Sequence, residues 1–186
     1  LASAVSALAA GGAFAEDINI GILLGFTGPI ESITPFMADG AEMAMSEVNA
    51  GGGILAGTMV HGIRADSACI DSAVAQASAE RLVTSDNVVA IMGADCSGVT
   101  TAVLQNVALA KGVVMISPSA TSPALSTIED NGLFFRTSPS DARQGQVLAE
   151  ILKEKGVKSA AISYTNNDYG KGLADSIQNN FENLGG

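Results

Sequence analysis

Tryptophan is absent from this chain of 186 residues, histidine occurs once, and aromatic side chains make up 4% of it. Bases are scarce as well, with 9 Lys and Arg against 19 Asp and Glu and a net charge of −10. That balance argues against nucleic acid or an anionic membrane surface as partner. The lone histidine, His61, falls in a strand-like stretch, so a Ser-His or Cys-His pair has no placed base. The G-x-S-x-G nucleophile elbow is missing, as are the P-loop and a G-x-G-x-x-G after the first strand. No stretch is long and apolar enough to cross a bilayer of about 30 Å. Glycine, at 21 residues, and alanine are plentiful, a composition that suits helices packed closely on a sheet.

Residues 1–15 are small and apolar and end Ala13-Phe14-Ala15. They have the form of the h-region and A-x-A cleavage site of a secretory signal, here a remnant, with a core helix or membrane span as the alternative. A soluble, exported chain is expected. The two cysteines, Cys69 and Cys96, both follow predicted strands. In an oxidising compartment they are expected to form a disulfide, two free buried thiols being the other reading.

The remaining pattern alternates strand and helix. Strands are predicted at 18–24, 58–66, 88–92, 113–116, 133–135 and 160–164. Helices are predicted from Thr34 (as N-cap, with Pro35 at N1) to about Asn49, from the cap Asp71 to about Ser85, and over 97–111. Two more open near Asp141 and after Asp168. Strict alternation implies a parallel sheet flanked by helices, class α/β. After Pro139 a fresh strand–helix pattern begins with too few strands to close a sheet. The chain is therefore expected to hold a first lobe, 16–138, and the truncated start of a second, 139–186.

The stretch 93–121 organises the rest. Two buried strands end there in Gly-Ala-Asp-Cys-Ser-Gly and in Ser-Pro-Ser-Ala-Thr. Ligands of open parallel sheets bind beyond the carboxyl ends of the strands. Ser97, Ser117, Ser119, Thr121 and Ser122 are poor acids, bases or metal ligands and good at holding a small polar molecule. Ser97 is expected at a helix N-cap, where unpaired N–H groups favour an anion. Asp66, Asp71 and Asp95 gather near the same strand ends. An all-carboxylate metal site is weighed there against helix capping and surface solvation, which explain them with less strain.

The ordered set of Gly25-Phe26-Thr27-Gly28-Pro29, Asn49-Ala50-Gly51-Gly52-Gly53-Ile54, Asp66-Ser67-Ala68-Cys69, Cys96-Ser97, Ser117-Pro118-Ser119-Ala120-Thr121, Arg136-Thr137 with Gln144-Gly145, and Asp168-Tyr169-Gly170-Lys171-Gly172 resembles one family. It is that of the solute-binding proteins of branched-chain amino-acid ABC importers, with the type I periplasmic binding fold and Rossmann-like lobes. The resemblance runs from about Asp17 onward and corresponds to roughly the first half of such a protein. It implies a periplasmic, monomeric, non-enzymatic protein without cofactor or metal. Such a protein captures an amino acid or related small carboxylate between two lobes and delivers it to a membrane permease. It further implies that Ser97 and Thr121 hold the ligand carboxylate and that the Ser119 carbonyl takes the ammonium. Tyr169 closes from the second lobe, and Thr27 and Ile33 are candidates for pocket lining. Two other functions are considered: an exported α/β hydrolase using Ser97 or Cys96, and the ligand-sensing ectodomain of a receptor with the same fold.

Overall fold

A strand covered on both faces must be hydrophobic along its length. β1 (Ile18–Leu24) meets that condition, with Ile22, Leu23 and Leu24 fully buried. It is the axis of a five-stranded sheet ordered β2-β1-β3-β4-β5, built with β2 (Val60–Asp66), β3 (Val88–Gly93), β4 (Val114–Ser117) and β5 (Phe134–Arg136). Every pair is parallel, and Leu24 stands opposite Asp66 while Leu23 stands opposite Gly93. The computed structural model describes residues 16–55 and 57–186, so the signal-like stretch 1–15 lies outside the described residues. Among the described residues no helix is long and apolar enough to cross a membrane. The strand order reverses between β1 and β3, which opens a crevice at their carboxyl ends.

α1 (Thr34–Ala50) covers one face of the sheet, packing Met37, Ala38, Ala41 and Met45 on Ile22 and Leu24. α2 (Ser72–Thr84) and α3 (Ser97–Val103) cover the other, where Ala75, Ala79, Leu82, Val99 and Val103 meet Leu23, Ile91 and Met115. Ala44, Val48, Val74, Ala77 and Ala110 are apolar residues at helical spacing in the predicted helices, yet they are exposed. The helices lie close on the sheet through the fully buried Ala38, Ala75 and Ala79. Past α3 the predicted single helix widens into a π-helical turn, Leu104–Ala108, before α4 (Leu109–Lys111). There the Asn106 side-chain amide donates to the Ala102 carbonyl at 2.9 Å.

The helix starts differ from one another. Thr34 is no N-cap; it lies inside α1, fully buried, and its hydroxyl donates to the Gly25 carbonyl at 2.8 Å. The bond fastens the start of α1 to the loop after β1. Asp71 does cap α2, accepting the N–H groups of Ala73 at 2.9 Å and Val74 at 3.1 Å. Asp71→Ala is expected to cost about 1 kcal/mol, read as a lower urea midpoint with an unchanged slope.

The last two helices, α5 (Asp141–Glu154) and α6 (Asp168–Asn183), pack on each other. Glycine is required at that crossing, because a Cβ on Gly145 would stand 2.2 Å from the Ser176 hydroxyl oxygen. The predicted strand 160–164 forms no ladder. Its residues are exposed, Ile162 at 40% and Tyr164 at 53%. A strand exists only through the backbone bonds of a neighbour, and among the described residues none lies beside it.

Candidate functional site

The carboxyl ends of β1, β2, β3 and β4 converge on Asp95. This residue is 3% exposed, and one carboxylate oxygen accepts the Gly25 N–H at 2.6 Å. The other accepts the Ser67 hydroxyl at 3.0 Å and the Cys96 N–H at 2.9 Å. Its backbone carbonyl accepts the Ser119 hydroxyl at 2.9 Å. One residue thus bonds to the loop after each of four strands. Its burial excludes the surface solvation that the sequence suggested for it.

Asp66, Asp71 and Asp95 go separate ways. Asp71 caps α2, while Asp66 accepts the Thr27 hydroxyl at 2.5 Å and the N–H groups of Thr27 and Ala68 at 3.2 and 2.9 Å. Burial pushes the Asp66 carboxyl up, but the Thr27 hydroxyl and the N–H groups of Ala68, Thr27 and Phe26 outweigh it. They hold the group below the usual carboxylate range. Among the described residues no group of three or more His, Cys, Asp and Glu is arranged to hold a metal.

Beside Asp95 runs the Cys69–Cys96 disulfide, with Cα atoms 5.2 Å apart, joining the loops after β2 and β3. The pairing is the one expected, and it removes any Cys96 thiolate. His61 lies near the opposite end of β2, paired with Asp17 at 3.0 Å on the surface. Gly93, which leads into the Asp95 loop, has φ +141°, and a Cβ there would stand 2.2 Å from the Leu23 carbonyl oxygen. Only glycine allows β1 and β3 to stay paired at this point.

Ser97 is the first residue of α3 and not its cap; Cys96 holds the cap position without a side-chain bond. The Ser97 side chain, 2% exposed, reaches across to the loop after β4, where its oxygen accepts the Ser122 N–H at 3.1 Å. Its own proton has no acceptor among the described residues, and neither do the N–H groups of Ser97 and Gly98. Orphan donors of this kind are the rule at a helix start. A carboxylate arriving here would meet a hydroxyl proton, backbone N–H groups and the positive end of the helix dipole.

The Thr121 hydroxyl has the opposite bias. It donates to the Asp141 carboxylate at 2.8 Å, and the Asp141 N–H returns a bond to the Thr121 carbonyl at 2.9 Å. This proton, expected to serve a ligand carboxylate, is given to Asp141 instead. Arg136 grips the same loop from behind, donating to the Ala120 and Ser122 carbonyls at 3.2 and 2.9 Å and to the Ser126 hydroxyl. Burial pushes the Arg136 guanidinium below its ordinary value, and the nearby Asp141 charge opposes that shift.

Of the other predicted residues, Ser119 lies beside Asp95, as described. Tyr169 is 45% exposed at the start of α6, next to Asp168. A Cβ on Gly98 would come within 3.9 Å of the Asp168 carboxyl carbon, so the starts of α3 and α6 abut. A groove of about 460 Å³ continues from there between Ser122 and Pro123 on one side and Lys171 and Asp175 on the other. Thr27 is held by Asp66, and Ile33 stands 53% exposed before α1; among the described residues no hydrogen bond ties either to Ser97 or Thr121. Asp141 and Arg136 join the site although the sequence marks them only as a helix start and a strand end. Their signal is polar: an acid and a base flanking a Thr-Ser-Pro-Ser turn just after a short strand.

A parallel sheet with a reversal at β1 and β3 and helices on both faces has the architecture of the type I periplasmic binding fold, with a cluster of hydroxyl and N–H donors at the reversal. The chain belongs to the periplasmic binding protein family, whose model matches residues 17–186. It is 34% identical over 171 residues to the Leu/Ile/Val-binding protein of Citrobacter freundii, covering 91% of this chain and 45% of that protein. Among solved structures it resembles a leucine binding protein from Thermotoga maritima, with TM-score 0.79, 26% identity and coverage of 91% of this chain and 47% of that one. It also resembles the branched-chain amino acid transporter substrate binding protein of Streptococcus pneumoniae solved with isoleucine, with TM-score 0.77, 30% identity and coverage of 89% and 47%. The chain spans less than half the length of the curated relatives it matches.

Proposed function

We propose that this chain is the first lobe, 16–138, and the opening of the second, 139–186, of a periplasmic substrate-binding protein. It captures an amino acid between its lobes and delivers it to the membrane permease of an ABC transporter. No bond is made or broken; closure of the lobes retains the ligand. The observation that carries this reading is the opposite polarity of two hydroxyls at the sheet's reversal. Ser97 keeps its proton to give, while Thr121 gives its proton to Asp141 and keeps lone pairs. A zwitterion fits that pair: its carboxylate at Ser97 and the start of α3, its ammonium at the Thr121 oxygen and the Ser119 carbonyl. Tyr169 approaches from α6 to cover it, and Thr27 and Ile33 stand further out along the same end of the sheet. The kinship with proteins named for leucine, isoleucine and valine supports an aliphatic side chain.

The test is calorimetric titration of the two-lobe protein with each of the common amino acids. At least one, with leucine the first to try, is expected to bind. Hydrogen bonds to a charged group contribute about 1.5–3 kcal/mol each. Ser97→Ala is therefore expected to weaken binding roughly ten- to a hundredfold. Absence of heat with every amino acid, or an unaltered affinity in Ser97→Ala, would overturn the reading.

A further inference from the structure

We infer that Asp141 is a specificity-determining residue that makes this site select α-amino acids over the same carboxylic acids without the amino group. The inference rests on the proposed binding of a zwitterion and adds to it the residue that enforces the choice.

A threonine hydroxyl has one proton to give and lone pairs with which to accept. Which of these a ligand meets depends on where the proton is held. Here it is held by a carboxylate that is 2% exposed, at 2.8 Å. Charge-assisted bonds of this kind are roughly twice as strong as neutral ones. Turning the proton toward a ligand would leave a buried carboxylate oxygen short of a partner, which is costly. Rotation of the loop is blocked as well. The Asp141 N–H holds the Thr121 carbonyl at 2.9 Å, and Arg136 holds the carbonyls on either side, those of Ala120 and Ser122. Ser138 adds a hydroxyl bond to the Ala120 carbonyl at 3.1 Å. To a ligand in the crevice the Thr121 oxygen is therefore an acceptor only. An ammonium satisfies it. A ligand with hydrogen or a methyl group at that position leaves it unpaired, and a site built to bond a polar group rejects the analogue that lacks it.

Asp141 acts through Thr121 and the test reads a ratio that loss of stability does not move. The probes are L-leucine and isocaproate, which is leucine without its amino group, titrated into the folded two-lobe protein. The unsubstituted protein is expected to prefer leucine by about a hundredfold or more. In Asp141→Ala the Thr121 proton is free to turn, and the preference should fall roughly tenfold or more, mainly through weaker leucine binding. Asp141→Asn keeps an acceptor oxygen in place and should retain most of the preference. If Asp141→Ala does not fold, Thr121→Val, which removes the oxygen, should lose the preference while Thr121→Ser keeps it.

Equal binding of both probes by the unsubstituted protein overturns the inference and leaves the carboxylate site standing. So does an unchanged ratio in Asp141→Ala and Thr121→Val. An equal loss in Asp141→Asn and Asp141→Ala would assign the selectivity to the charge of Asp141 and overturn the role of the hydroxyl's direction. If no amino acid binds at all, the inference falls with the proposed function, an outcome that the titrations already described separate from the others.

Discussion

Asp95→Ala is expected to destabilise the protein by about 3–4 kcal/mol, among the largest effects of a single substitution. The carboxylate is almost fully buried and accepts from Gly25, Ser67 and Cys96. Removing it strands two backbone N–H groups and a hydroxyl in a dry place, at about 1–3 kcal/mol for each donor left unsatisfied. Water entering the vacated space restores part of that, which keeps the total below the simple sum. Asp95→Asn should lose less, because the amide oxygen can still accept from some of the donors. The measurement is urea unfolding with the disulfide intact. A loss under about 1 kcal/mol would mean that the four loops hold one another without this residue.

Breaking the Cys69–Cys96 bond, by reduction or by replacing both cysteines with serine, is expected to cost about 3.5 kcal/mol on the chain-entropy estimate. The closed loop has a sequence separation of 27. The loss should appear as a lower unfolding midpoint in reductant, with little change in the circular dichroism of the folded state. Asp95 and the disulfide fasten the same two loops, so the combined variant should depart from the sum of the separate losses. Neighbours that share partners are generally non-additive. An unchanged midpoint in reductant would defeat the prediction.

The backbone plan is largely legible from periodicity. Ile18–Leu24 is a continuous apolar run, Asp71 is an acid placed to cap, and Gly51 follows the helix that it ends. Strand against helix is decided within a few residues, and so these elements can be read locally. The predicted strand 160–164 fails for a reason that is not local, since a ladder needs a second strand and the segment itself cannot supply one. Thr34 and Ser97 have the look of caps, yet both are buried one step inside their helices and bond across the fold, to Gly25 and Ser122. A hydroxyl's neighbours in space decide its role, and nothing in the sequence near Thr34 names Gly25.

The candidate site divides along the same line. That Ser97, Ser119 and Thr121 would gather is legible from two strand ends of one parallel sheet. The direction of each proton is not, because it depends on Asp141, twenty positions from Thr121, and on Ser122 reaching back to Ser97. Asp95 shows the limit most plainly. As an acid between an alanine and a cysteine it could have capped, bound metal or faced water, and its burial under Gly25 and Ser67 separates these only once the loops are in place.

The fasteners described above all sit at one end of the sheet. The disulfide, the Asp95 bonds, the Thr34 hydroxyl and the Arg136 grip hold the same set of loops. The freedom of those loops is therefore surrendered when the chain folds, long before a ligand arrives. Ordering a loop during association subtracts from affinity, and a surface already rigid avoids that loss. A molecule landing at this end of the sheet would meet a preformed surface, and the entropy lost on its capture would come mainly from the molecule itself.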